Sequence, residues 1–317
     1  MAVAHAIEVR DLTKVYGEKH ALSGVSFDVA EGEVFALLGP NGAGKSTTVE
    51  ILEGHRIATS GSASVLGVSP ADGGREFRDR IGIVLQSSGI EDTLTVTEAI
   101  DLYRSSYRSP RGVDEIIDLV GLNEKRHDRV KTLSGGQQRR IDLALGLIGN
   151  PEVLFLDEPT TGFDPSARRA SWDLLSSLRD LGTTIVLTTH YMEEAERLAD
   201  RVGVIVAGKI VAMGTPAELA TGTEHTTISF RLHGGASADD VKSMADDMTV
   251  LNGVVALTTS APTDTLHRLT NWAVDQGVEL DELSVYRPTL EDIYLGLTEP
   301  NSGAVAVPDA AQNEART

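Results

Sequence analysis

The chain has 317 residues, 41% of them apolar, enough for one large domain or two unequal ones and against global disorder. A formal charge of −19 argues against a surface built for nucleic acid, and the absence of cysteine excludes disulfides and thiolate metal sites and fits a reducing compartment. No apolar run reaches the roughly 18 residues of a membrane-spanning helix, and the start, MAVAHAIEVRD, lacks the basic and apolar blocks of a secretory signal. Any membrane connection is therefore expected to run through a partner. From Thr221 to Thr317 there are 15 acidic and 5 basic residues, so this end carries −10 of the −19, a solubilising surface.

In chain order, Ile7 to Gly17 reads as a strand, and a second strand ends at Phe27 to Val29. The continuous apolar run Val34 to Leu38 predicts a strand covered on both faces. It leads into GPNGAGKST, and a helix follows from about Thr47. Thr59-Ser60-Gly61 reads as a turn, and Ile81 to Leu85 as a buried strand ending at Gln86. From about Ser87 to Asn150 the pattern is mainly helical, with segments Val96 to Tyr107 and Val113 to Val120. Short apolar strands resume at Val153 to Leu156, Thr184 to Leu187 and Gly203 to Val206, with helices between. This alternation predicts an α/β fold with a mostly parallel, helix-covered sheet and a helical insertion.

After Thr221 the pattern changes. Ile228, Phe230 and Leu232 alternate with polar residues as in a half-exposed strand, and Ser237 with Asp240 forms a capping box for a helix carrying Val241 and Met244. Strand-like VVAL (Val254 to Leu257), helical TLHRLTNWAV and strand-like LSV follow, and Thr289 with Asp292 suggests a further box. The expected organisation is a first domain at 1–221 with a helical subdomain at about 87–150, a small α+β accessory domain at 222–298, and a disordered tail at 299–317.

Residues Gly39 to Ser46 match G-x-x-x-x-G-K-[ST] between a buried strand and a helix, the setting a phosphate-binding loop requires. Gly39, Pro40, Asn41, Gly42, Ala43 and Gly44 supply a backbone whose amides curl around phosphate, and Thr47 continues into the helix. Lys45 is expected to reach the β- and γ-phosphates, and Ser46 to hold Mg²⁺. The alternative, a glycine-rich turn that binds nothing, leaves the Lys-Ser pair without a purpose. Asp157 and Glu158 stand where a buried strand leaves the sheet, the place where open α/β sheets bind ligands. Asp157 suits the Mg²⁺ shell. Glu158 is expected on the other strand face, as the base that polarises the attacking water.

Leu133-Ser134-Gly135-Gly136-Gln137 reads LSGGQ, downstream of Gln86 and upstream of FLDEP. Ser134 and the Gly135 and Gly136 amides can present donors to a γ-phosphate, and Ser134 can also cap the helix that follows. Together with Gly162-Phe163-Asp164-Pro165, His190 in LTTHYMEEAERLADRV and Tyr16, these motifs resemble the ABC (ATP-binding cassette) family, in the family's order, over about Ile7 to Leu219. The resemblance implies a P-loop NTPase core binding ATP and Mg²⁺. It implies that Tyr16 stacks on adenine, Gln86 ligates Mg²⁺ or positions water, His190 contacts the γ-phosphate, and Gln137 and Asp164 belong to the nucleotide interface. The donors of LSGGQ would serve the opposite subunit, so that two cassettes sandwich two ATP molecules. Phe163 stands where the family's D-loop usually has Leu, while Asp164 is intact.

The end of the chain, with YRPTLEDIYLGLT and the earlier SSGIEDTLTV, resembles the daunorubicin/doxorubicin-resistance-type exporter ATPases. The implied role is the ATP-hydrolysing subunit of an exporter of drug-like or lipophilic compounds, peripheral on the inner face of the membrane, with a polytopic permease and a second ATP-binding subunit as partners. The alternative is a soluble ABC ATPase with a regulatory or nucleic-acid-linked role. The single cassette, the acidic charge and the lack of a long heptad insertion weigh against it.

Overall fold

The computed structural model describes residues 5–84, 89–180, 182–221, 226–232, 238–251 and 253–286. The chain divides into two compact units, Met1–Pro216 and Ala217–Thr317.

The first unit holds two sheets. Strands β1 (His5–Tyr16), β2 (Lys19–Ala30) and, later in the chain, β4 (Ser60–Val65) form an antiparallel sheet in the order β2-β1-β4. Between them come β3 (Val34–Leu38) and helix α1 (Lys45–Leu52). Helix α2 (Arg75–Arg80) and strand β5 (Ile81–Val84) precede three helices, α3 (Val96–Arg104), α4 (Val113–Leu119) and α5 (Gly135–Leu147). Then β6 (Val153–Asp157), α6 (Pro165–Asp180), β7 (Thr184–Thr189), α7 (Met192–Leu198), β8 (Arg201–Val206) and β9 (Lys209–Gly214) alternate. Helix α8 (Pro216–Thr221) spans the division between the units.

The six-stranded sheet runs β5-β6-β7-β3-β8-β9, parallel except for β9. Every residue of β3 and β7 is buried, as strands covered on both faces must be. Phe27 of β2 stacks on Phe35 of β3 with ring centroids 4.9 Å apart, in a core with Ile7, Leu22, Val49, Leu52 and Phe155. Each such ring contributes about 2–3 kcal/mol of apolar burial.

The second unit continues with β10 (Thr226–Leu232), β11 (Asp247–Leu251), β12 (Val254–Thr259), α9 (Pro262–Gln276) and β13 (Leu280–Tyr286). Its antiparallel sheet runs β11-β12-β10-β13, with Ile228, Phe230, Val255 and Leu257 meeting Leu269 of α9.

Three expectations change. Ser60 and Gly61 open strand β4 instead of a turn, because the short polar residues Ser60, Ser62 and Ser64 pair along β1. The helix expected to carry Val241 and Met244 is two 3-10 turns, Ala238–Asp240 and Lys242–Met244, before β11. Only two residues separate Met244 from the start of β11 at Asp247, which leaves no room for a further helical turn before the strand. Strand β9 was not anticipated, since its alternating exposed positions carry no continuous apolar run. Ser237, Thr289 and Asp292 lie outside the described residues.

Candidate nucleotide-binding and hydrolysis site

The three central strands β6, β7 and β3 are neighbours, and their carboxyl ends bring Asp157, His190 and the phosphate loop together. The loop leaves β3 at Gly39, whose N–H donates to Thr189 O at 3.3 Å. A Cβ on Gly39 would stand 2.3 Å from Ile205 O, so the close approach of loop to β8 needs glycine. Gly44 has φ +109° and starts α1 without a side-chain cap. The N-terminal amides of α1 are thus left for another acceptor.

Lys45 is buried, and its Nζ donates to Gly39 O at 2.7 Å and Pro40 O at 3.3 Å. The same Nζ lies 3.4 Å from Glu158 Oε1. Burial pushes the ammonium pKa down, opposed by Glu158 and Asp157. Ser46 Oγ donates to Asp157 Oδ1 at 3.2 Å, and Thr188 Oγ1 donates to the same oxygen. A hydroxyl and a carboxylate at this separation, beside a phosphate loop, are the oxygen donors that Mg²⁺ takes together with phosphate and water. Asn41, Gly42, Gly44, Lys45, Ser46, Thr47 and Glu158 line one cavity with Tyr16 and Lys19. Tyr16 is exposed, with Lys14 Nζ 5.0 Å and Arg56 Cζ 5.5 Å from its ring centroid. Ala43 is buried and accepts from Gly208 N at 2.9 Å, which anchors the loop's base.

Glu158 has φ +47°, so it leaves the strand geometry of β6 at once. The expectation of opposite strand faces therefore fails: Asp157 and Glu158 both turn toward the loop, one to Ser46 and the other to Lys45. Thr188 fixes the turn by accepting from Glu158 N, through its carbonyl at 3.2 Å and its hydroxyl at 3.0 Å. Thr161 Oγ1 donates to Glu158 Oε2 at 3.1 Å. His190 Nδ1 stands 3.4 Å from Glu158 Oε1 without the alignment of a hydrogen bond. Burial raises the Glu158 pKa, but Lys45, the Thr161 hydroxyl and His190 outweigh it and hold the carboxyl below its ordinary value. Behind the pair, Glu53 at the end of α1 is buried and pushed up to about 8, by desolvation first and then by Asp157 and Glu50.

Ser134 caps α5. Its hydroxyl accepts from Gln137 N at 3.3 Å, and Gln137 Oε1 accepts from Ser134 N at 3.0 Å. Asp164 accepts from Ser166 N and Ala167 N, both at 2.9 Å, at the start of α6. Ser134, Gly136, Gln137 and Asp164 line a cavity of their own, while Gly135 lines another with Glu158 and Thr161. The signature and Asp164 are thus not on the cavity that holds Lys45. Gln86 lies outside the described residues. The sequence reading missed Thr161 and Thr188; their adjacency to Glu158 and His190 in DEPTT and LTTH was the available signal.

The model of the ABC transporter family matches residues 22–161, and that of the C-terminal domain of ABC transporter domain-containing-like proteins matches 226–289. The daunorubicin/doxorubicin resistance ATP-binding protein DrrA of Streptomyces peucetius is 35% identical, over 98% of this chain and 97% of its own. The chain belongs to the ABC transporter ATP-binding subunits. The linearmycin resistance ATP-binding protein LnrL of Bacillus subtilis (strain 168) is 34% identical, over 92% of this ABC subunit and 98% of that protein. Among solved structures, cbiO1 from Clostridium perfringens, part of the ABC transporter complex cbiONQ, has a TM-score of 0.63 at 30% identity, covering 68% of this ABC subunit and 91% of cbiO1. A dimeric post-hydrolysis state of the ATP-binding cassette MJ0796, bound to ADP and Pi, has a TM-score of 0.60 at 27% identity, covering 66% and 98%. The ABC subunit is an ATPase of P-loop fold that binds ATP. Among its described residues no helix is long and apolar enough to cross a membrane.

Proposed function

We propose that this subunit hydrolyses ATP to drive export of a lipophilic, drug-like compound through a polytopic membrane permease. It would act at the inner face of the membrane. The observation that carries the hydrolytic reading is the convergence of Lys45, Ser46, Asp157, Glu158 and His190 on one loop. The exporter reading rests on relatives named for daunorubicin, linearmycin and Nod factor, the last being the export ATP-binding protein of Rhizobium meliloti (strain 1021), 46% identical over 67% of this chain and 64% of that protein.

The roles follow from the chemistry of each group. Lys45 and the amides of Gly42 and Gly44 neutralise the β- and γ-phosphates. Ser46 and Asp157, joined by Gln86, would hold Mg²⁺, which supplies charge neutralisation on the phosphate oxygens. Glu158, kept ionised by its neighbours, accepts the proton of the attacking water. His190 contacts the γ-phosphate, and Tyr16 stacks on the base. Ser134, Gly135, Gly136, Gln137 and Asp164 face the nucleotide of a second copy, in keeping with the cavity of Ser134, Gly136, Gln137 and Asp164 lying apart from Lys45. ATP then favours the closed pair by binding it better than the open one, and hydrolysis removes that preference.

The test is capture of tagged Glu158→Gln from detergent-solubilised membranes with ATP and Mg²⁺, followed by mass spectrometry. The reading expects a stoichiometric multi-span membrane protein; recovery of a soluble partner alone would overturn it.

A further inference from the structure

Thr160 and Thr161 follow the catalytic candidate Glu158 and point their hydroxyls at two different carboxylates. Thr161 Oγ1 donates to Glu158 Oε2 at 3.1 Å, and Thr160 Oγ1 donates to Glu194 Oε1 at 2.7 Å. Glu194 lies on α7, four residues after His190, and is completely buried. Its Oε1 accepts a second bond, from Trp172 Nε1 of α6 at 3.0 Å, while Oε2 has no hydrogen-bond partner among the described residues. Thr160 is completely buried and Trp172 nearly so.

A buried carboxylate with one unsatisfied oxygen is costly, so a hydrophobic residue packed against Trp172 would serve stability alone at least as well. What the carboxylate adds is a fixed seat for Thr160. The adjoining Pro159 is held from the other side, its carbonyl accepting from Arg139 Nε of α5 at 3.1 Å. Thr160 O also accepts from Phe163 N at 3.2 Å, so the same residue begins the turn that leads to Asp164. One turn before Trp172, Arg168 stacks over Tyr191 at 4.3 Å, and the Tyr191 ring is 4.1 Å from that of His190. Helix α6 therefore grips the segment after His190 at both Tyr191 and Glu194.

We propose that Glu194 is a positioning residue for hydrolysis: it seats the Thr160 hydroxyl so that Thr161 holds Glu158 oriented, and it ties that orientation to the helix that follows His190. The proposal rests on the reading of Glu158 as the base. Because Glu194 is buried away from the cavity with Lys45, it affects the chemical step and leaves ATP binding alone.

The experiment measures steady-state ATPase activity of the full chain for Thr160→Val, Glu194→Ala and Glu194→Gln, beside Glu158→Gln and wild type, with melting temperatures. Thr160→Val keeps the side-chain volume and removes only the donor, so it decides the matter if Glu194→Ala fails to fold. Both are expected to lower kcat about tenfold, a size reasonable for a misplaced catalytic group, with the KM for ATP within about twofold of wild type. Glu194→Gln, whose amide oxygen can accept the same two bonds, is expected within about threefold of wild-type kcat. An inactive Glu158→Gln alongside a Thr160→Val of wild-type kcat would overturn the proposal, as would a Glu194→Gln as slow as Thr160→Val. A fully active Glu158→Gln would instead overturn the assignment of the base.

Discussion

Lys45 Nζ lies 3.4 Å from Glu158 Oε1, an ion pair between the cation proposed to hold the γ-phosphate and the acid proposed to activate water. The pair opposes the shift that burial imposes on each group, pushing the Lys45 pKa up and the Glu158 pKa down. In the proposed roles, ATP takes Lys45 over from Glu158 and so frees Glu158 for the water.

Lys45→Ala removes the cation from both partners. Loss of a charged hydrogen bond of about 1.5–3 kcal/mol predicts ATP affinity lower by about 10- to 150-fold. Titration with a fluorescent ATP analogue checks it, and unchanged affinity would remove Lys45 from the site.

Glu53 predicts a pH dependence of stability. Its carboxyl goes from an ordinary 4.5 in the unfolded chain to about 8 in the fold. Below 4.5 it is protonated in both states and contributes nothing; between 4.5 and about 8 only the folded chain keeps the proton. The unfolded state then binds fewer protons, so stability falls as pH rises through this window, with the loss complete above about 8. A neutral Glu53 can donate to His55 Nδ1, 3.2 Å from its Oε2. Glu53→Gln should flatten the decline, which is on the order of 5 kcal/mol across the window. Urea denaturation at several pH values gives the slopes, and equal slopes for variant and wild type would refute the assignment.

Gly44→Ala tests the loop's backbone. The residue has φ +109°, and a Cβ would stand 2.7 Å from both Ala21 O and Leu22 Cδ2. Strain of about 1–3 kcal/mol plus this overlap predicts a lower melting temperature and loss of ATP binding together, read by calorimetry and nucleotide titration.

Ser134→Ala removes the α5 cap and should cost about 1 kcal/mol of stability. If the hydroxyl also serves a second copy's nucleotide, ATPase activity falls at temperatures where the variant remains fully folded. Activity matching wild type under those conditions would leave Ser134 a cap alone.

The phosphate loop, Asp157, Glu158 and the LSGGQ cap were legible in the sequence because each is a local pattern in which spacing and chemistry coincide. The central strands were legible for the same reason: Val34 to Leu38 and Val153 to Leu156 are continuous apolar runs. Strand β4 was not, since its polar residues gain their strand geometry only by pairing with β1. Thr188, Thr160, Trp172 and Glu194 were illegible as a group. Thr160 and Trp172 reach Glu194, and Thr188 reaches Asp157, across 22 to 34 sequence positions, and nothing in their local sequence announces the partner. The left-handed turn at Glu158 was hidden too, because strand alternation is a sound rule until the strand ends.

Two copies are proposed to enclose ATP, with Glu158 as the base for its hydrolysis. The most direct measurement is light scattering of Glu158→Gln with ATP and Mg²⁺, paired with its hydrolysis rate. An ATP-dependent particle of twice the mass of one chain, with turnover reduced by at least about 100-fold, is expected. A variant that hydrolyses ATP at the wild-type rate, or one that binds ATP and stays monomeric, would contradict it.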